Sequence, residues 1–139
     1  MQNISLIKDL NANASAIDQS DDIQRRVATV GFDWRDAKEV IQILRDELTE
    51  LEEALENKDI KHSHEEFGDV LFTCVNLARH LNISIEDALT FANKKFCTRF
   101  QMVEKLLQQD NRDFVDFSFT EMLEYWQRAK QILKNEDEK

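Results

Sequence analysis

The chain contains no proline and only two glycines among its 139 residues. This scarcity limits the fold more than any other feature of the sequence. Tight turns draw heavily on glycine and proline, so folds built from many strands and turns are disfavoured. The expected fold is a set of helices with few, short connections, and a glycine-rich phosphate loop is excluded. At this length the simplest organisation is a single domain over residues 1–139.

The charge balance narrows the classes of partner. Eighteen basic residues stand against 28 acidic ones, for a formal net charge of −10. Such a balance argues against nonspecific nucleic-acid binding and against docking on anionic membranes. No apolar run approaches the ~18–20 residues of a membrane span. Cys74 and Cys97 lack a zinc or disulfide spacing, which favours a reduced, cytoplasmic compartment.

The spacing of apolar residues predicts an all-α, antiparallel bundle of five to six helices. Gly31 is a plausible C-terminal cap, and Ser84 and Ser118 each begin a pattern typical of a capping box. The fourth predicted helix is apolar on most sides, so we expect it at the centre of the bundle. The charged tail, residues 135–139, is expected to fray. The predicted helices cover about residues 4–16, 20–30, 35–57, 64–81, 84–109 and 118–133.

Two pairs of acidic residues stand out on the predicted helices. Glu47 and Glu50 share a face of the long helix, and Glu66 and Asp69 lie on the narrow polar strip of the mostly apolar helix. If the two helices pack antiparallel, four carboxylates converge and must protonate or bind cations. Oxygen ligands of this kind suit Mg²⁺ or Mn²⁺. The alternative interpretation is a solvated acidic face, which is common on helices.

A basic pair and a C-terminal aromatic residue are the candidate substrate contacts. Lys95 and Arg99 are one helical turn apart, with Asn93 beside them, and suit phosphate oxygens. Salt bridges to local acids are the alternative role for the two cations. Trp126 is either a core residue or a platform for a nucleobase, with Lys130 one turn further on reaching a phosphate or sugar.

The histidines do not indicate a metal site of another type. A di-iron bundle requires Glu-x-x-His on two helices, and no glutamate here has a histidine three residues later. His62, His64 and His80 are expected to be solvated or to cap helices.

Several segments together resemble one family. Glu47-x-x-Glu50 and Glu66-x-x-Asp69, separated by 15 residues, match the ExxE…ExxD signature of the all-α nucleoside triphosphate pyrophosphohydrolases. The order and spacing of the surrounding segments resemble MazG, in particular its C-terminal catalytic domain, over about residues 24–130. These segments are Val30-Gly31-Phe32-Asp33-Trp34, residues 65–72, residues 75–81, Ala92-Asn93-Lys94-Lys95-Phe96 and Arg99-Phe100.

The resemblance implies a helical dimer, or a dimer of dimers, that hydrolyses (deoxy)nucleoside triphosphates between the α and β phosphates. The products are a nucleoside monophosphate and pyrophosphate, and the reaction needs Mg²⁺, for which Mn²⁺ is a candidate substitute. By position, Lys95 and Arg99 match the family's phosphate-binding residues, and Trp126 and Lys130 match residues near the nucleotide. The carboxylates that match the family's metal ligands and catalytic residues are Glu47, Glu50, Glu66 and Asp69.

Departures from the family pattern concern the phosphate contacts and substrate preference, not the metal site, and two alternative functions are also considered. Ile43 stands where MazG often has a lysine, and Asp46 where it often has a second glutamate. One alternative is a narrower specificity within the superfamily, for dUTP- or dCTP-type nucleotides or for phosphoribosyl-ATP. The other is a non-catalytic helical module for dimerisation or interaction. The expected role of the enzyme is housekeeping of the nucleotide pool.

Overall fold

The computed structural model describes residues 5–138, apart from the side chain of Asp116, and its regular structure is entirely helical. No strand occurs in that range, which confirms the predicted all-α class. One short 3-10 helix, Phe114–Asp116, precedes the last α-helix. The five α-helices are α1 (Ala16–Ala28), α2 (Ala37–Glu56), α3 (Ile60–His80), α4 (Ile85–Gln109) and α5 (Phe119–Asp137).

Side-chain caps explain where four of the helices begin. In each case the residue before the helix accepts a hydrogen bond from a backbone N–H of the first turn, which satisfies a donor that has no partner within the helix. The caps are Ser15 to the N–H of Asp18, Asp36 to that of Glu39, Asp59 to that of His62, and Ser118 to that of Glu121.

The predicted first helix, over about residues 4–16, is wrong in the described part of that range, and Ile4 lies outside it. Residues 5–15 are turns and irregular backbone. Asp9 has a left-handed φ of 60°, and the Asn11 Oδ1 accepts from the backbone N–H of Asn13 at 3.0 Å. These short polar side chains offer the backbone local partners that compete with a helix. The first helix begins only after Ser15.

Three other boundaries differ from the prediction. Helix α1 begins at Ala16 rather than near residue 20, because Ser15 caps it. Helix α3 begins at Ile60 rather than near residue 64, because Asp59 caps it and shortens the connection. Helix α5 continues to Asp137 rather than ending near residue 133, and fraying of the tail stays a prediction. Helices α2 and α4 agree with their predicted ranges to within two residues.

The chain forms two compact units with a boundary after Ile85. In the first unit, α2 and α3 are joined by only three residues and pack side by side, and α1 packs on α3. Asp33, just before α2, bonds Arg79 near the end of α3, whereas Glu47 in the middle of α2 meets Glu66. These contacts show that the α2–α3 pair is antiparallel.

Helix α3 is less enclosed than its sequence indicates. Val70 and Val75 are buried, but Phe67 and Leu71 are 53% and 52% exposed. On α2, Leu55 is likewise 59% exposed. The expectation that α3 is surrounded on most sides is therefore wrong for this single chain, since one apolar flank of the α2–α3 pair faces solvent.

The second unit is a helical pair with an apolar core. Helices α4 and α5 meet through a buried cluster, and Trp126 and Phe117 pack against it. The hydroxyl of Tyr125 donates to the Asp110 carboxylate at 2.6 Å, so the one polar group of this core is paired. The cluster consists of Val103, Leu106, Leu107, Tyr125 and Ala129. Within residues 5–138, no helix has the length and apolarity needed to cross a membrane.

Candidate metal centre

Three of the predicted carboxylates converge in the first unit. One oxygen from each of Glu47, Glu66 and Asp69 lies within 4.8 Å of the others. The spacing of three residues places Glu66 and Asp69 on one face of α3, and the antiparallel packing brings Glu47 of α2 opposite to them. Glu66 is only 9% exposed, Glu47 is half-buried and Asp69 is exposed.

This convergence raises the proton affinity of the group. Burial is the main reason that the pKa of Glu47 rises to about 7, and the negative charges of Glu50, Asp69 and Glu66 add to the effect. The pKa of Glu66 is also raised, first by burial and then by a hydrogen bond with Glu50. Carboxyl groups this close therefore hold a proton near neutral pH unless a cation replaces it.

Two oxygen atoms of the cluster are buried and unpaired. Among the described residues, Glu47 Oε2 and Glu66 Oε2 have no hydrogen-bond partner. Such atoms are unfavourable unless a proton, water or ion satisfies them. The donors are all carboxylate oxygens, which is the ligand type of Mg²⁺ and Mn²⁺. The residues present thus fit a hard divalent cation.

Glu50 and His62 lie beside the carboxylate cluster, on the wall of a cavity. A cavity of about 440 Å³ lies next to Glu66, and Glu50, Asp59 and His62 contribute to its wall. His62 Nε2 lies 3.2 Å from Glu66 Oε1. We expected His62 to be solvated or to cap a helix, and this contact with a candidate metal ligand is not part of that prediction. The i, i+4 spacing of His62 and Glu66 is the signal that could have indicated this contact.

The other predicted site residues lie in the second unit. Lys95 is exposed and Arg99 half-buried on α4, one turn apart, and Asn93 is exposed beside them. None of the ion pairs found within residues 5–138 includes Lys95 or Arg99, so the salt-bridge alternative for this pair is not observed. The two cations remain available for an anion.

Trp126 packs against the core of the second unit, as one of its two predicted roles requires. Its ring centroid is 5.2 Å from that of Phe96, and the Arg99 guanidinium lies 5.9 Å from it, within the range of a cation–π contact. Lys130 is half-buried one turn further along α5. Trp126 therefore contacts Arg99 as well as packing against the core.

Sequence reasoning missed a polar network at the entry to α2. Arg79 donates from Nη1 to Asp33 Oδ2 at 2.8 Å and from Nη2 to Asp33 Oδ1 at 2.5 Å, and His80 Nε2 lies 2.9 Å from Asp33 Oδ1. The hydrogen bonds from Arg79, followed by that of His80, hold the pKa of Asp33 well below its usual range. These residues lie 46 and 47 positions apart, so helical spacing gives no signal. Asp33 and Arg79 do occur within the segments that resemble MazG.

Comparison with known proteins agrees with this geometry. The family model of the MazG nucleotide pyrophosphohydrolase domain matches residues 35–103, a range that includes the four carboxylates, Lys95 and Arg99. Over 126 residues the chain is 40% identical to the nucleoside triphosphate pyrophosphohydrolase/pyrophosphatase MazG of Thermotoga maritima. Over 128 residues it is 36% identical to the nucleoside triphosphate pyrophosphohydrolase of Escherichia coli. Each match covers 91% of this chain.

The relatives are longer than the chain. It spans 48% of the Thermotoga protein and 49% of the Escherichia coli protein, or about half of each. A shorter stretch of 73 residues is 40% identical to the uncharacterised protein YabN of Bacillus subtilis and covers 15% of that protein. The similarity therefore concerns a domain, which recurs in proteins of different length.

Proposed function

We propose that this chain, which carries a MazG nucleotide pyrophosphohydrolase domain, hydrolyses nucleoside triphosphates between the α and β phosphates with the help of Mg²⁺. The observation that carries the proposal is the convergence of Glu47, Glu66 and Asp69, with two buried oxygens that lack a partner. Two glycines are too few for a glycine-rich phosphate loop, so we infer that a cation and side chains on helices hold the phosphates.

The proposed chemistry assigns a role to each group. Glu47, Glu66 and Asp69 hold the divalent cation, which supplies charge neutralisation for the phosphate oxygens. Lys95 and Arg99 bind non-bridging oxygens and stabilise the negative charge that develops on them. A water oxygen bonds to the α phosphorus as the bond to the β-phosphoryl oxygen breaks.

Glu50 is the proposed proton acceptor for that water. It lies outside the three-carboxylate group yet lines the same small cavity as Glu66, so it would lie near a cation held by the three converging carboxylates. A general base must lie within reach of the proton that it removes. The position of Glu50 on the wall of the small cavity beside His62 supports this role.

A homodimer is the proposed assembly, alone or as a dimer of dimers. The apolar flank formed by Leu48, Leu55, Phe67 and Leu71 is 43–59% exposed in the single chain. Exposed apolar patches on helices mark interaction surfaces. We further expect a cytoplasmic, reducing compartment, because Cys74 and Cys97 are both free thiols.

The proposal is tested by measuring pyrophosphate release from a panel of ribo- and deoxynucleoside triphosphates, with Mg²⁺, with Mn²⁺ and with EDTA. We expect cation-dependent release that Glu50→Ala removes, while Glu52→Ala on the solvated face of α2 keeps it. Release restricted to dUTP, dCTP or phosphoribosyl-ATP selects the narrower specificity. Absence of hydrolysis by a protein with intact helical circular dichroism would instead favour the non-catalytic module.

A further inference from the structure

The contact between His62 and Glu66 links the carboxylate cluster to the first turn of α3. His62 Nε2 lies 3.2 Å from Glu66 Oε1, and the two residues are one helical turn apart. Of the ion pairs within residues 5–138, this is the one that involves any of the four predicted carboxylates. In the part of the chain that the structure describes, His62 is therefore the one basic side chain paired with these carboxylates.

The two oxygens of the Glu66 carboxylate have different surroundings. Oε1 lies next to the imidazole of His62, whereas Oε2 is buried and has no hydrogen-bond partner among the described residues. The terminal torsion of a glutamate side chain has no sharply preferred value, so a carboxylate without contacts rotates readily. A partner on one oxygen fixes the direction of the other. The contact with His62 therefore determines where the unpaired Oε2 points.

The backbone holds His62 in place at the start of α3. The side chain of Asp59 accepts from the His62 N–H at 3.0 Å, and its carbonyl oxygen accepts from the Ser63 N–H at 2.9 Å. Asp59 is itself tied to the end of α2, because its N–H donates to the carbonyl oxygen of Ala54 at 3.1 Å. Groups on helices are held more precisely than groups on loops, so this turn suits a supporting contact.

We propose that His62 is a positioning residue for the cation: its Nε2–H holds Glu66 Oε1, so that Oε2 is directed at the ion. This role rests on the proposed function, since it needs a divalent cation at the carboxylate cluster. His62 itself contacts neither the cation nor the phosphates. Carboxylates that ligate metals are commonly oriented by such a partner, and its loss lowers metal affinity about 10–100-fold.

The first experiment measures Mn²⁺ affinity by electron paramagnetic resonance in the absence of nucleotide. His62→Leu removes the N–H group, so its dissociation constant for Mn²⁺ should be about tenfold higher than that of the wild type. His62→Gln places an amide N–H near the position of Nε2, so its affinity should stay close to that of the wild type. His64→Leu, at an exposed position on the same helix, is the matched control and should leave the affinity unchanged.

A shorter amide guards against an effect on folding. The amide nitrogen in His62→Asn superimposes on Nδ1 of histidine rather than on Nε2, so this variant should bind Mn²⁺ as weakly as His62→Leu. His62→Asn and His62→Gln are both polar at a position whose side chain is 50% exposed. A merely structural role would not separate two such similar amides. Helical circular dichroism shows that each variant is folded.

Two further measurements separate positioning from direct binding. Electron spin echo modulation of bound Mn²⁺ reports coordinated nitrogen, and we expect no signal from a bound imidazole. In the pyrophosphate assay, the rate of His62→Leu should return close to that of the wild type at saturating Mg²⁺, because only cation binding is weakened. A coordinated nitrogen that His62→Leu removes, or a loss of rate that persists at saturating Mg²⁺, would overturn the positioning role.

The Mn²⁺ titrations also distinguish this role from the proposed function. Equal affinity in the wild type and His62→Leu, or binding to His62→Gln as weak as to His62→Leu, contradicts the role of His62 alone. Absence of saturable Mn²⁺ binding to the wild type contradicts the proposed metal centre, and the role of His62 with it. Mn²⁺ affinities in the expected order, without hydrolysis of any nucleotide, contradict the proposed function and support the role of His62.

Discussion

The two compact units bury different kinds of side chain. Among residues with described side chains, the buried polar ones, Gln24, Glu66 and Thr73, all belong to the first unit. The second unit buries apolar residues and Tyr125, whose hydroxyl is paired with Asp110. Burying polar atoms without partners lowers stability. Packing does not explain why the first unit buries such atoms, whereas the proposed binding of a cation does.

The largest expected effect comes from removing a converging carboxylate in the first unit. Glu66→Gln and Asp69→Asn keep the side-chain shape but remove the negative charge that binds the cation. Pyrophosphate release should fall on the order of 10²–10³-fold. Glu52→Gln, on the exposed face of α2, should change it less than twofold. Equal activity in all three variants would exclude the cluster as the active site.

The matching change in the second unit should affect stability instead. Leu107 is 2% exposed in the apolar core, so Leu107→Ala should lower the free energy of unfolding by about 3 kcal/mol. Leu123→Ala, at a position 46% exposed on α5, should lower it by less than about 0.5 kcal/mol. Urea denaturation measures both. A cost for Leu107→Ala as small as that of its control would mean that this core does not stabilise the unit.

The basic pair tests whether the second unit also contributes to chemistry. Lys95→Ala and Arg99→Ala should each lower kcat/KM about 10–100-fold, because each removes a positive charge from the proposed phosphate contacts. Lys94→Ala, next to Lys95 in the chain, is the matched control. If all three lysine and arginine variants lose activity equally, the effect is one of overall charge rather than of a specific contact.

The smallest expected effect is the pH dependence of cation binding. Because Glu47 has a pKa of about 7, it must lose its proton before it binds a cation, and Mn²⁺ affinity should rise about tenfold between pH 6 and 8. Without the cation, the stability of the fold depends on pH in the opposite direction. The Glu47 contribution is present below about pH 4.5 and is lost as the pH rises through 7.

The variant Glu47→Gln checks both parts of this prediction. It carries no titrating group at this position, so its Mn²⁺ affinity and its stability in EDTA should each vary less with pH than those of the wild type. Isothermal titration and thermal unfolding provide the two readouts. Parallel pH profiles for the two proteins would contradict the raised pKa.

The sequence predicts what depends on near neighbours in the chain. Helix α5 follows from its apolar spacing and from Ser118, which caps the N–H of Glu121. The pairing of Glu66 with Asp69 follows from a spacing of three on one helix. The helix predicted over about residues 4–16 is wrong because apolar spacing takes no account of the local hydrogen bonds of Asn11. The predicted start of α3 is too late because the spacing takes no account of Asp59 as its cap.

Contacts between residues far apart in the sequence could not be predicted from helical spacing. Gln24 reaches the backbone of Phe72 across 48 positions, and Asp33 reaches Arg79 across 46. Each depends on how α1 and the segment before α2 pack on α3, which no helical periodicity encodes. Sequence spacing therefore indicated the carboxylates of the site but not these contacts.

The central claim is that the converging carboxylates of the first unit hold a divalent cation. Electron paramagnetic resonance of Mn²⁺ tests it directly, because bound and free ion are distinguished in the absence of any nucleotide. The account predicts saturable binding to the wild type and to Glu52→Gln, with affinity at least about tenfold lower in Asp69→Asn and Glu66→Gln. Equal Mn²⁺ affinity in all four proteins, each with intact helical content, would contradict it.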